Sequence, residues 1–343
     1  MSHHTAYRRW NWRAVALGAV MTVVTALAAC SHSSPGTVRI SQQYGIGYLP
    51  LMVMQQQQLV EKQAAKRGIK NLKVEWKTLG GGDSASAALL SGSLDFAASG
   101  VGPLLKIWDK TKGSSNVRGV ASLNSMPIVL TTINPNVHSI KDLSNADRIG
   151  LPAVKVSIQA VTLQMAAAKQ WGIKSYDKLD HLTVSMKHPD AMAAMLSKSN
   201  VDAHFGSPPY YQEELEKPGV HKILSSYDVL GGKSTFNTIW ATQGYRQKNP
   251  KVYAAVFAAL QQAMAFIKAH PRQAAQIYIE QASSKLPESL IYKIITDPAI
   301  EFTVTPKNVM KYAQFMHKTG SIDHMPKSWK DVFFDNLSQD KGS

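Results

Sequence analysis

The sequence predicts an α/β protein of two lobes, each a mostly parallel sheet with flanking helices, with a cleft between the lobes and a helical C-terminal tail. Three observations predict it. Short β-branched or alternating runs recur between segments of helical spacing over residues 37–242, the rhythm of strand–helix–strand units. The pattern restarts near Ile128, so there are two such sets. From Pro250 onward it is almost wholly helical. A chain of 343 residues suits about two domains, and 44% hydrophobic with 18% charged residues is ordinary globular composition.

In the first set, Thr37–Ile40 reads as a strand broken at Gly45 and Gly47. Pro50–Ala65 has helical spacing, with Leu51, Met54, Leu59 and Val60 assigned to one side, and Gly68 ends it. Leu72–Trp76 alternates as a second strand, Gly80–Gly82 leads into a helix from about Ser84 to Leu90, and Leu94–Ala98 is a short buried strand. In the second set, Ile128–Ile133 is followed by the Asn134-Pro135-Asn136 turn. Asp147–Pro152 feeds a helix from near Ser157 to Trp171, Leu182–Met186 alternates, and Pro189–Leu196 is helical. Val201–Phe205 is again a short strand, Pro208-Pro209 precedes a helix over Tyr210–Glu216, and Thr238–Thr242 is a strand. The expected division is a first lobe over 37–130 and 235–336, a second over 131–234, and chain crossings near 130 and 235.

The N-terminus carries an address. Arg8, Arg9 and Arg13 precede the uncharged run Ala14–Ala29, which is shorter than the about 20 residues a membrane span needs but suits a secretory signal. The run ends in Leu27-Ala28-Ala29-Cys30, like a bacterial lipobox, and Cys30 is the only cysteine in the chain. Residues 1–30 are therefore expected to be a lipoprotein signal peptide, with lipid on Cys30, and 31–36 a polar tether. Tyr7-Arg8-Arg9-Trp10 loosely matches a twin-arginine signal. A lone cysteine excludes an internal disulfide, a thiolate zinc site and a CxxC pair. Removing the three arginines from a net charge of +15 leaves about +12. Lysines are scattered rather than clustered with aromatics, so nucleic acid is not an expected partner; a bias toward small anions or anionic headgroups is.

Catalytic signatures occur only in fragments. Gly232-Lys233-Ser234 has Tyr227 where a phosphate loop needs glycine. Lys318-Thr319-Gly320 and Ser175-Tyr176-Asp177-Lys178 stand in the wrong order for a penicillin-binding site. The histidines at 138, 181, 188, 204 and 221 lack metal-ligand spacing. No metal, no cofactor and no enzymatic activity are expected. What recurs instead is the loop-to-helix junction at a strand's carboxyl end, where N–H groups face anions. Four qualify: Gln43–Tyr48, Gly80–Ser84, Ser99–Gly102 and Lys155–Gln159.

These segments carry a resemblance. Tyr44-Gly45-Ile46-Gly47-Tyr48-Leu49-Pro50, Leu89-Leu90-Ser91-Gly92-Ser93-Leu94-Asp95-Phe96, Val201-Asp202-Ala203-His204 and Asn249-Pro250 resemble the solute-binding proteins of ABC importers. The similar group is the nitrate, sulfonate and taurine one, with the two-lobed periplasmic binding fold of type 2, and the likeness runs from about Thr37 to Asn336. The resemblance implies a monomeric, exported and membrane-tethered receptor that captures a small, often anionic solute and delivers it to a permease and its ATPase. It implies that Tyr44, Gly45 and Tyr48 line one wall with Gly82, Asp83 and Ser84, that Ser99 and Gly100 form the floor, and that Ser157 and Gln159 close from the other lobe. Phe205 and Pro208 would lie on the hinge side. Enzymes of vitamin-precursor and menaquinone chemistry share the fold, but the cysteine-rich motif of the pyrimidine-precursor synthases is missing here. A receptor that signals through a membrane partner is the other alternative.

Overall fold

The computed structural model describes residues 36–343, and Cys30, the signal-like segment and tether residues 31–35 lie outside them. The first set of units runs β1 (Thr37–Gln42), α1 (Leu49–Gln56), α2 (Leu59–Ala65), β2 (Lys73–Thr78), α3 (Gly82–Leu90), β3 (Ala97–Gly100), α4 (Val101–Lys110) and β4 (Arg118–Ser122). The second runs β5 (Val129–Thr132), β6 (Ile149–Leu151), α5 (Ile158–Trp171), β7 (Thr183–Ser185), α6 (His188–Leu196), β8 (Ala203–Gly206), α7 (Tyr210–Leu215), β9 (His221–Ser225) and α8 (Ser226–Leu230). Strand β10 (Asn237–Ala241) leads into α9 (Gln243–Lys248), α10 (Pro250–Ala269), α11 (Pro271–Ala282), α12 (Glu288–Ile295), α13 (Val309–Lys318) and α14 (Trp329–Val332).

Sequence spacing runs α1 and α2 together, but the chain breaks between them at Gln58, which is left-handed. The apolar positions explain the break. In one continuous helix Val60 would point about 180° away from Leu51, yet both are fully buried. A kink re-aims the second turn at the core.

Strands β1 and β2 pair in parallel, Thr37 opposite Lys73 through Gln42 opposite Thr78. A parallel bridge between Ile40 and Phe96, with the Ser41 N–H donating to the Phe96 carbonyl at 3.0 Å, joins β1 to β3. Strand β10 then pairs antiparallel with both β3 and β4. The order is β2-β1-β3-β10-β4. The second sheet repeats it as β7-β6-β8-β5-β9, with β5 antiparallel to β8 and β9. Four strands of each sheet therefore share a direction. The fifth is the strand that has just crossed from the other set, which is why it enters head-to-tail against its neighbours. The two crossing segments run side by side: Ser125 bridges Thr235, and Asn124 Nδ2 donates to Asn237 Oδ1 at 3.2 Å.

The turn before β3 is pinned by a two-pronged ion pair. Arg39 Nη2 and Nε donate to the Asp95 carboxylate at 3.0 and 3.1 Å, and the Arg39 backbone N–H donates to it at 2.8 Å. Burial under the tail is equally specific. Helix α10 is long and apolar enough to cross a membrane, but its Tyr253, Val256, Leu260 and Ile267 face is buried, packed on α1 and α2.

Candidate functional site

Four helix N-termini meet at one small cavity. It touches Gly82 at the start of α3, Gly100 before α4, Ser157, Ile158 and Gln159 at the start of α5, and His188 at the start of α6. The first-turn N–H groups of a helix have no intrahelical partner, and together with the macrodipole they attract negative charge. Two of the helices follow strands of the first sheet and two follow strands of the second. The cavity measures about 20 Å³, room for about one water-sized group.

Its walls add hydroxyls and amides. Ser157 Oγ caps α5 by accepting the Ala160 N–H at 3.2 Å, which leaves its own O–H free to donate. Tyr44, Ser99 and Asn237 also line it. Tyr48 is 3% exposed, its hydroxyl accepting from Asn237 Nδ2 at 3.0 Å, and burial pushes its phenol up, so it stays neutral. Gln43 braces the first wall by donating to the Ala98 carbonyl at 3.0 Å. From the second set of units, Lys187 lays its stem over Gly80 and holds its ammonium 6.0 Å from the Tyr44 ring.

Of the residues expected from sequence, Tyr44, Tyr48, Gly82, Ser99, Gly100, Ser157 and Gln159 are brought together here. Gly45 lies just outside, at φ +105°, where a side chain would be strained, and a Cβ there would stand 2.9 Å from the Pro208 carbonyl. That carbonyl accepts the Ile46 N–H at 2.9 Å, so Gly45 and Pro208 form a backbone clasp between the β1–α1 and β8–α7 loops, with Gly45 lining a larger neighbouring cavity. Asp83 is exposed, Ser84 Oγ is turned back onto the Gly81 carbonyl at 2.8 Å, and Phe205 is sealed in the core; none lines the cavity. Strand alternation puts His204, not Phe205, on the face toward α7. Missed altogether were Lys187, His188, Phe236 and Asn237. His188-Pro189-Asp190 opens a helix, a local signal that marks a junction there but not the part His188 plays in it.

A larger cavity of about 560 Å³ adjoins through Gln43 and Tyr44 and is walled by Tyr210, Glu213 and Tyr278. Another, of about 650 Å³, lies among Arg67, Arg118 and Arg246, but Arg246 is already paired with Asp335 and stacked 4.8 Å from Phe334. Neither gathers the four long helix starts. Among the described residues no cluster of three His, Cys, Asp or Glu side chains has metal-holding geometry.

Residues 37–280 match the model of the NMT1-like family. The chain belongs to that family. No curated protein sequence matches it. Among solved structures, the Escherichia coli periplasmic aliphatic sulphonate binding protein SsuA is 21% identical, with a TM-score of 0.64 over 88% of this chain and 92% of that one. The alkanesulfonate-binding protein SsuA from Xanthomonas axonopodis pv. citri, solved bound to MOPS, is 17% identical, with a TM-score of 0.67 over 88% and 97%. The periplasmic nitrate-binding protein NrtA from Synechocystis PCC 6803 is 12% identical, with a TM-score of 0.68 over 89% and 87%. The fold of this NMT1-like chain is thus that of the periplasmic binding proteins.

Proposed function

We propose that this protein is an exported solute-binding receptor, lipid-anchored at Cys30 and monomeric, that captures a small anionic solute of the sulfonate, taurine or nitrate type between two lobes and delivers it to an ABC permease and its ATPase. The single observation that carries the reading is the convergence of four helix N-termini, two from each sheet, on one small cavity. Such a site supplies N–H and O–H donors with partial positive charge, and an oxyanion needs little else. The named ligands of the solved relatives support the anion class. The lobes are taken as 37–130 with 235–336, and 131–234, joined by the paired crossings at Asn124–Ser125 and Thr235–Asn237.

Capture requires motion. A cavity of about 20 Å³ is too small for a sulfonate, so the lobes part to admit it and close over it, and the closed form is what a permease reads. Thermal unfolding of residues 31–343 against nitrate, taurine, methanesulfonate and longer alkanesulfonates tests the class. A true ligand at about a hundred times its Kd adds roughly 2.7 kcal/mol and raises Tm by a few degrees. No shift with any oxyanion would sink the anion reading.

A further inference from the structure

Behind the cavity wall runs a hydrogen-bonded chain that no step of solute capture requires. His188, with one ring edge in the cavity, is linked through Nδ1 to His204 Nε2 at 2.8 Å. His204 Nδ1 is bound in turn to Glu214 Oε1, and Glu214 Oε2 accepts from Thr131 Oγ1 at 2.6 Å. His204, Glu214 and Thr131 have no solvent exposure at all, and His188 is 6% exposed. The elements are α6, β8, α7 and β5, so the second sheet itself assembles the chain.

With both imidazoles neutral and Glu214 ionised, the donors close in one order. Glu214 must accept from His204 Nδ1–H; His204 Nε2 then accepts from His188 Nδ1–H; His188 Nε2 accepts from Gln159 Nε2, 3.2 Å away. In that state the cavity edge of His188 is an acceptor. One added proton reverses the order. It binds at His188 Nε2, the Nδ1 proton passes to His204 Nε2, and His204 becomes an imidazolium held between Glu214 and His188. His188 is neutral before and after, as its burial demands, yet its cavity edge has become a donor, and the Gln159 amide must turn its Nε2 away from it. Burial, and then His204, push the His188 imidazolium well below its ordinary range.

We propose that His188, His204 and Glu214 form a proton-operated switch in the cavity wall, which takes up one proton from solvent as an anionic solute binds and presents His188 Nε2–H to it. This rests on the receptor reading above and adds to it a residue that selects for acceptor groups. The chain's buried charge goes from one negative to zero in the process, so its repulsion of an anion is relieved. The other titratable groups around it are Tyr210, stacked 5.5 Å from the His188 ring; Tyr44, Asp190 and Glu213, which act on the Tyr210 hydroxyl; and Lys187, over Tyr44. Helix α5 contributes the uncharged Gln159.

Nitrogen NMR of the full-length chain labelled at histidine, in mild detergent, reads the switch directly. As pH is lowered, His204 should become an imidazolium while His188 stays neutral and exchanges its protonated nitrogen from Nδ1 to Nε2. Unchanged tautomers at every pH at which the chain stays folded, or an imidazolium at His188, would overturn the proposal. Adding methanesulfonate at high pH should drive the same exchange, and calorimetry in buffers of different ionisation enthalpy should show uptake of up to one proton per solute. Affinity then falls by up to about tenfold per pH unit above the transition. His188→Gln and Glu214→Gln should each abolish the proton uptake, and its persistence in both overturns the assignment. Binding of methanesulfonate without proton uptake removes the switch and leaves the receptor; a flat trace removes the anion receptor, while the histidine spectra still decide the switch.

Discussion

Gly100 shows how closely the two halves of the site approach. Its φ of −71° suits any residue, so space and not conformation demands glycine. A Cβ there would stand 2.8 Å from Ile158 Cγ2 and 3.0 Å from Ile158 Cβ, across the cavity on the opposite helix start. Gly100→Ala is therefore expected to hold the lobes apart, weakening solute affinity about tenfold or more, a loss of at least about 1.4 kcal/mol, with little change in the solute-free Tm. Calorimetry and thermal unfolding on the same sample check it; equal affinity would show that closure does not bring these residues together. At this scale the sequence was legible wherever a residue's role follows from its place at a junction. The junctions that hold Ser99, Gly100, Ser157 and Gln159 are read from loop chemistry, and the family resemblance assigns those residues to the cleft. His188 and Asn237 are not read, because their role depends on partners 16 and 113 positions away, His204 and Asn124.

Among the elements, the Arg39–Asp95 pair joins β1 to the turn before β3 and so aims Ser99 and Gly100 at the cavity. Asp95 is 5% exposed and holds three donors from one residue. Asp95→Ala leaves the half-buried guanidinium and a strand N–H unpaired, with an expected loss of about 2–4 kcal/mol in chemical denaturation. A loss under about 1 kcal/mol would mean that solvent replaces the pair. A second clasp ties α4 to the C-terminal segment. Asp109 accepts the N–H groups of Asp323 and His324 at 3.0 and 2.8 Å and His324 Nδ1 at 2.8 Å. Burial raises the Asp109 carboxyl, but these donors outweigh it and leave it below the ordinary value. A depressed carboxylate stabilises the fold above the unfolded value of about 3.9, and that contribution disappears as pH falls through the folded value. Asp109→Asn should therefore flatten the acid limb of the stability curve, measured as Tm against pH. Helices α8 and α9 and strands β4 and β9 escaped the sequence reading, and of α4 only its start at Ser99–Gly102 was read. Gly119, with Phe333 packed where a side chain would go, shows why for β4: its burial partner lies in the far C-terminal segment.

On the scale of the whole molecule, each sheet receives one strand from beyond the crossing, and the proposed capture of solute requires the paired connections to act as the hinge. The alternation of strands and helices was enough to anticipate two sets of units and a helical tail. The runs at Ile128–Ile133 and Thr238–Thr242 were visible, but their antiparallel insertion was not, since nothing local in Val129–Thr132 or Asn237–Ala241 records the direction of its neighbours. Cys30→Ser belongs at this scale too. The variant should move from the membrane to the soluble fraction of the exported protein, and its retention as a processed, anchored form would remove the lipid from the account.

A crystal structure of the chain with the oxyanion that raises Tm most decides where the solute is held. The anion should lie between the helix starts, within hydrogen-bond reach of the Ser157 hydroxyl, the Gln159 N–H and His188 Nε2. Density for the anion in the 560 Å³ cavity beside Tyr278 and Glu213, with the helix starts unoccupied, would contradict that placement.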